Sequence, residues 1–433
     1  MNPPLPTRKA EEAALLLQAA LDMHTCLDFE GAGTISTDYL FGPARGQMFG
    51  ILVCEDASGN EVVLKAFSGQ YAGNWTIPGW VGPVVDPRTY EKVALRHDTL
   101  IHTLTSQIEQ SKAEEKPSLA SQRKTLSQSI LSELYGLYRF RCIDQKSIGL
   151  ADVFGPRLPP TGTGDCCGPK LLHHAFCNQL HPVSMAEFFY GEPNRSRTKQ
   201  HKAFYGPCDE KCQPLLRHML GLDIVYADES LVVVNKEGGM LSVPGRGEEK
   251  QDCVETRVRR LFPKAPRQCA VHRLDMDTSG LLLLALDKET HRDLSLQFMH
   301  KKIEKEYQAL LEGVVRQEEG EVHLPFRLDV EHRPYQIYDE EQGKWGTTVW
   351  KKLRVESFHG SLVTRVVFRP LTGRTHQLRL HSFHPKGIAH PIVGDRLYGT
   401  GKEGDRLCLH ASSLSFIHPR SGEKLTITSS SPF

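Results

Sequence analysis

The sequence predicts an α+β protein of more than one domain, with a C-terminal half built on a large, mixed and mostly antiparallel sheet. Three observations carry this reading. A chain of 433 residues exceeds a single ordinary core. After Gly221, β-rich runs bounded by turn residues recur: DIVYADESLVVVNKEGGMLSVPG as two of them, then LLLLAL, EYQALLEGVV, GTTVWKKLRVE and LVTRVVFRPL. Helical spacing interrupts them in CVETRVRRLF and ETHRDLSLQFMHKKI, a mixture that fits helices laid on an antiparallel sheet.

In chain order, the opening MNPPLPTRKAEEAALLLQAALDM reads as an amphipathic helix. It lacks the compact apolar core and cleavage site of a secretory signal, so a cytoplasmic location is expected. ILVCED and EVVLKAF flank SGN and predict a hairpin, completing a small α+β unit over 1–90. Residues 91–145 carry apolar side chains at helical spacing with Pro117 as a break, which predicts an antiparallel helical pair or arm. Residues 146–218 form a Cys/His-rich segment: FGPRLPPTGTGDCCGPK is too rich in Gly and Pro for regular structure, and KLLHHAFCNQL fits a short helix. The composition changes again near Gly221, and 219–433 is expected to form a domain of its own.

Composition excludes several classes. The hydrophobic fraction of 39% and charged fraction of 24% are those of a globular chain, with no apolar run of membrane length. A net charge of +1 does not announce a nucleic-acid binder, so any RNA surface must be a local patch. Arg257, Arg259, Arg260, Lys264 and Arg267 could supply one, or form a solvated helix face.

Eleven cysteines are too sparse for a disulfide framework. Cys166, Cys167, Cys177, Cys208 and Cys212 gather near His173, His174 and His201. A structural zinc held by Cys166, Cys208, Cys212 and one of these histidines is an expectation of this spacing, although C-x-x-x-C is looser than paired C-x-x-C. Two other readings stand beside it: Cys166 as a thiolate activated at a helix N-terminus with a histidine base, or thiols that simply pack.

The most informative run is CAVHRLDMDTSGLLLLALDKET, where His272, Arg273, Leu274 and Asp275 precede Thr278, Ser279, Gly280 and an apolar strand. An aspartate carboxylate is an oxygen nucleophile in its ionised form. Burial favours the neutral acid and an adjacent cation restores the charge, so a buried nucleophilic carboxylate wants an arginine partner. A planar bidentate fork would also fix its orientation, and either Arg374 or Arg379 could supply it.

This run resembles the central motif of the RluA-type family of RNA pseudouridine synthases. Three further blocks match that family in order: VVNKEGGMLSVPG, KKIEKEYQALLEG and LTGRTHQLRLHSFHPKGIAHPIVGDRLYG, and the closing LCLHASSLSFIHP also fits. The resemblance implies the pseudouridine synthase fold and the isomerisation of uridine to pseudouridine in a structured RNA, a loop of tRNA or large-subunit rRNA. It makes Asp275 the nucleophile, chooses Arg374 as its partner, and leaves Arg379 structural or RNA-facing. Tyr307 matches the aromatic that stacks on the target base, and Arg273 the residue that enters the gap left by the flipped base. His272, Thr278, Gly373, His376, Gln377 and Arg379 complete the implied substrate-binding set. Attack at the sugar carbon and at the ring carbon are both open.

No cofactor, nucleotide or catalytic metal is implied. The histidines at 376, 381, 384 and 390 lack ligand partners at recognised spacing. Gly394, Asp395 and Tyr398 read as a turn that shapes the site. A monomer without membrane contact is expected. Many relatives carry an S4-type RNA-binding module before this domain, whereas this chain resembles the subset with a long N-terminal extension instead. The alternative from another class is an RNA-binding or ribosome-assembly protein that keeps the fold without chemistry. Retention of Asp275, Tyr307 and Arg374 together speaks against it.

Overall fold

The apolar runs become strands in two separate units, Met1–Gly221 and Leu222–Phe433, of a computed structural model that describes residues 3–112 and 114–433. In the first unit, helix α1 (Arg8–His24) precedes strands β1 (Gln47–Glu55) and β2 (Glu61–Phe67). These pair antiparallel from Phe49↔Phe67 to Glu55↔Glu61, the hairpin expected around SGN. The Asp56 carboxylate accepts the N–H groups of Ser58 and Asn60, both at 2.8 Å, which closes the turn.

Helices α2 (Pro87–Gln110) and α3 (Lys116–Gly136) follow. Pro117 starts α3 rather than breaking a helix, because a first-turn residue has no intrahelical acceptor for the N–H that proline lacks. Next come β3 (Arg139–Arg141), β4 (Ser147–Gly149), α4 (Leu150–Phe154), α5 (Cys167–Cys177), β5 (His181–Tyr190), β6 (Phe204–Tyr205) and α6 (Cys212–Leu220). The Gly/Pro-rich loop therefore ends earlier than expected: Gly168 and Pro169 lie in the first turn of α5, where proline is tolerated.

The sheet of this unit runs β2-β1-β5-β6. Ala10, Ala14, Leu17 and Leu21 of α1, at helical spacing, join Phe49, Ile51, Val53 and Phe188 in one core. On the other face, α5 comes so close to β1 that a Cβ at Gly50 would lie 2.5 Å from the Cys167 Cβ. Burial on both faces explains why β1 reads as an unbroken apolar run.

The second unit contains β7 (Ile224–Ala227), β8 (Leu231–Lys236), α7 (Val254–Leu261), β9 (Ser279–Ala285), α8 (Lys288–Met299), β10 (Glu304–Glu312), β11 (Glu319–Leu328), β12 (Gln336–Tyr338), β13 (Lys344–Phe358), β14 (Ser361–Pro370), α9 (Gln377–Phe383), β15 (Leu409–Ile417) and β16 (Lys424–Thr428). Its sheet runs β12-β11-β13-β14-β10-β15-β9-β8-β7, with β16 on β15. Every pairing is antiparallel except β15 with β9, giving the mixed, mostly antiparallel sheet expected.

At that parallel seam a Cβ on Gly280 would meet the Ala411 carbonyl oxygen at 2.4 Å, so only glycine lets the two strands close there. β9 is buried along its whole length, and each buried leucine in it contributes roughly 1.5–3 kcal/mol. This rigid strand carries the motif loop 271–278 at its N-terminal end.

Candidate active site

A cleft of ≈ 1250 Å³ opens beside that loop. Its walls come from 272–278, the start of β10, the end of β14, the loop 371–376 with the first residues of α9, and β15. Asp275, Tyr307, Arg374 and Arg379 all line it, as do Arg273, Thr278, Gly373, His376 and Gln377.

Asp275 is fixed by its neighbours in sequence. On one side the Ser242 hydroxyl accepts the Leu274 N–H at 3.0 Å and donates to the Leu274 carbonyl at 2.8 Å. On the other, the buried Lys236 ammonium donates to the carbonyls of Met276, Glu237 and Met240 at 2.8, 2.8 and 2.7 Å, and the Gly239 N–H also reaches the Met276 carbonyl. The carboxylate is thus held by its backbone and left open to the cleft.

Lys236 and Ser242 were not singled out from the sequence. Their block matched the family, but a buried lysine reads as anomalous only once its carbonyl partners are known. Burial lowers the Lys236 ammonium to about 7, against the pull of Asp275 and Asp277. Replacing Lys236 by methionine strands three carbonyls, so a loss of about 1–3 kcal/mol in stability is expected, with a fall of roughly 10–100-fold in turnover from a misplaced Asp275. Thermal unfolding and a product assay measure the two effects; unchanged turnover would remove Lys236 from the support of the site.

The cation of the cleft corrects the sequence reading. Arg374 is exposed at the rim, and its Nε donates to the Trp345 carbonyl at 3.2 Å. The Asp275 charge acts on the guanidinium of Arg379. It is buried with Asp395, to which Nε and Nη2 donate at 2.8 and 2.5 Å. Burial opposes its charge, but the hydrogen bonds and charge of Asp395, with the charge of Asp275 added, hold the guanidinium above its ordinary pKa.

The reason is local folding: α9 begins at Gln377, immediately after left-handed His376, so Arg379 turns inward while Arg374 stays in the preceding loop. Gly373 lies at that exposed rim, without a side chain to block the cleft. Gln377–Phe383 is a mostly buried helix.

Two expected substrate-binding residues are occupied by the protein itself. Gln377 accepts from the Thr372 hydroxyl and the Arg374 N–H and donates to the Thr347 carbonyl and Thr348 hydroxyl. His272 accepts the Leu283 N–H at 3.0 Å and packs on Phe298. Both help to shape the cleft. His376 Nδ1 pairs with the Tyr398 hydroxyl at 2.8 Å, and that hydroxyl accepts the Gln336 N–H, so the Asp395–Tyr398 turn braces the floor.

Thr278 differs: its hydroxyl is buried in the cleft wall without a hydrogen-bond partner among the described residues. Tyr307, at a register shift of β10, is half-buried; burial, and secondarily the Asp275 charge, push its phenol above the ordinary range, so it is protonated at neutral pH. Arg273 is exposed at the cleft mouth. In the basic patch, Arg257 is paired with Asp252 at 2.7 Å, while Arg259 and Arg260 are exposed.

Three imidazoles of this unit, His381 and His410 buried and His272 half-buried, make a pH prediction. Burial first of all depresses His272 to about 3 and His381 and His410 to about 4. Folded histidines therefore stay neutral where unfolded ones, with a pKa near 6.5, take up protons. Between about 6.5 and 4 the unfolded chain binds more protons, so stability falls as pH falls, by up to about 1.4 kcal/mol per pH unit for each imidazole. Urea midpoints at about pH 7 and pH 5 should differ accordingly, the lower pH being the less stable; equal midpoints would contradict it.

The zinc expected from Cys166, Cys208 and Cys212 is not supported: among the described residues, no group of three or more His, Cys, Asp or Glu side chains is arranged to hold a metal ion. The three thiols do meet, with the Cys208 and Cys212 sulfurs 3.5 Å apart, but His173 accepts the Arg141 N–H and His201 the Gly191 N–H. Among the described residues no helix is long and apolar enough to cross a membrane.

The cleft thus brings an aspartate, a tyrosine and a buried arginine to one side of a mixed sheet. Residues 230–384 match the family model of RNA pseudouridylate synthases. The chain is 41% identical over 215 residues to the dual-specificity RNA pseudouridine synthase RluA of Pasteurella multocida and to that of Escherichia coli, in each case 49% of this chain and 94% of the relative. The human protein RNA pseudouridylate synthase domain containing 1 is 30% identical, with a TM-score of 0.41, over 49% of this chain and 84% of its own. The chain belongs to the RluA-type family of RNA pseudouridine synthases, which are isomerases.

Proposed function

We propose that the protein converts uridine to pseudouridine at a loop position of tRNA, large-subunit rRNA, or both, acting as a cytoplasmic monomer without cofactor. The observation that carries this is the cleft that Asp275, Tyr307 and Thr278 line together, in a chain that spans nearly the whole length of dual-specificity relatives.

A stacked uridine hides its reacting atoms, so the base must leave the helix at a cost of a few kcal/mol. Stacking on the Tyr307 ring, worth about 1–3 kcal/mol per base, offsets much of that. Exposed Arg273 enters the vacated gap. Asp275 attacks the extruded nucleotide and the bond between ribose and uracil nitrogen breaks. The base turns, rejoins through carbon, and releases the proton there. Arg379, buried with Asp395, supplies a positive charge close enough to feel Asp275, and the buried Thr278 hydroxyl leaves an unsatisfied polar atom in the cleft wall. Exposed Arg374 is better placed for phosphate than for Asp275.

Incubating the protein with tRNA and large-subunit rRNA transcripts, then digesting to nucleosides for mass spectrometry, tests this. New pseudouridine in at least one RNA is expected; RNA binding without product in any transcript would make the protein a binder. Stacking makes a further prediction. Tyr307→Phe should keep turnover within about tenfold, while Tyr307→Ala should lose roughly 10–100-fold. An equal, near-complete loss in both would mean that the phenol itself moves a proton.

A further inference from the structure

The first unit gathers three sulfurs that the proposed reaction does not use. Cys166 precedes α5, Cys208 lies in the loop before α6, and Cys212 opens α6. The Cys208 and Cys212 sulfurs are 3.5 Å apart, and the Cys166 thiol is hydrogen-bonded to both. Two backbone N–H groups, of Lys211 and Cys212, also point at the Cys208 sulfur. Cys208 is exposed, Cys166 half-buried and Cys212 buried. An accessible sulfur surrounded by donors, with another thiol against it, is the arrangement in which an oxidised cysteine is rapidly resolved.

We propose that Cys208 and Cys212 form a peroxide-oxidised pair, in which Cys208 takes the oxygen and Cys212 closes the disulfide. In the first step the Cys208 sulfur attacks one peroxide oxygen. The O–O bond breaks, Cys208 becomes a sulfenic acid, and its thiol proton leaves with the other oxygen as water. In the second, the Cys212 sulfur attacks the sulfenic sulfur and a second water departs with the Cys212 proton. Hydrogen peroxide is reduced to two waters while two thiols become one disulfide. The product ties the loop before α6 to the first turn of that helix, and Cys166 remains a thiol that donates to the reacting sulfur.

Cys177 provides an internal reference. It is also exposed, but its neighbour is a histidine ring nitrogen at 3.6 Å rather than another sulfur. The full chain is treated with hydrogen peroxide, quenched by alkylation and mapped by mass spectrometry. The expected product is a Cys208–Cys212 linkage lighter by two hydrogen atoms, forming about tenfold faster than Cys177 is lost.

In Cys212→Ser, folded by circular dichroism, Cys208 should instead accumulate as a sulfenic acid trapped by a cyclic 1,3-diketone. Cys166→Ser should still form the Cys208–Cys212 bond. Oxidation of Cys177 as fast as Cys208, a disulfide through Cys166, or purified protein with one zinc per chain shielding the three thiols would each overturn the proposal.

Discussion

Arg379→Met is expected to unfold the catalytic unit more readily than any other single change in the cleft. Asp395 is fully buried and Arg379 nearly so, and removing one partner of a buried, bidentate pair leaves the other charge without compensation. The loss should be about 3–5 kcal/mol, read as the shift of the urea or thermal midpoint. The double variant Arg379→Met with Asp395→Leu replaces both charges by apolar volume and should recover much of that stability, yet not the turnover. Recovery of turnover along with stability would mean that Arg379 only holds the fold. Arg374→Ala, at an exposed position, should change stability by less than about 0.5 kcal/mol and weaken RNA binding instead.

Asp275→Asn is expected to abolish turnover while leaving the protein folded and able to bind RNA. The amide keeps the size and shape of the side chain but lacks the anionic oxygen, and the Ser242 and Lys236 contacts that set this loop are made to its backbone. With RNA labelled by tritium at the uracil carbon that becomes the new attachment point, tritium release should fall by about 10⁴-fold or more, close to 5 kcal/mol or above. Release at the wild-type rate would remove Asp275 from the chemistry.

These two side chains also mark the limit of what the sequence could reveal. The role proposed for Asp275 was legible because it is suggested within a few residues: a carboxylate next to Arg273, a turn through Thr278, and the apolar run that becomes β9. The role proposed for Tyr307 was legible because its block keeps a fixed order with the others. The choice between Arg374 and Arg379 was not, since five residues separate them and either could reach a carboxylate. A left-handed turn at His376 and the start of α9 decide which one enters the floor. Burial of the inward guanidinium then required Asp395, a residue that the sequence reading left as part of a turn.

Lys236 was invisible for a related reason: its partner at Met276 is 40 residues away, and carbonyls have no signature in a sequence. The hairpin around SGN was readable from turn chemistry alone, whereas Pro117, Gly168 and Pro169 looked like breakers and turned out to sit in first turns of helices, where local sequence alone does not separate starting from stopping. The cysteine spacing showed that sulfurs would gather, without showing that His173 and His201 would be engaged elsewhere.

A crystal structure of the Asp275→Asn protein bound to a substrate RNA, one that the wild-type enzyme converts, tests the central claim most directly. The extruded uracil should lie on the Tyr307 ring, with the reacting carbon within about 3–3.5 Å of the residue 275 side chain and Arg379 beneath it. A uridine still stacked in its helix, or one bound away from both position 275 and Tyr307, would contradict it.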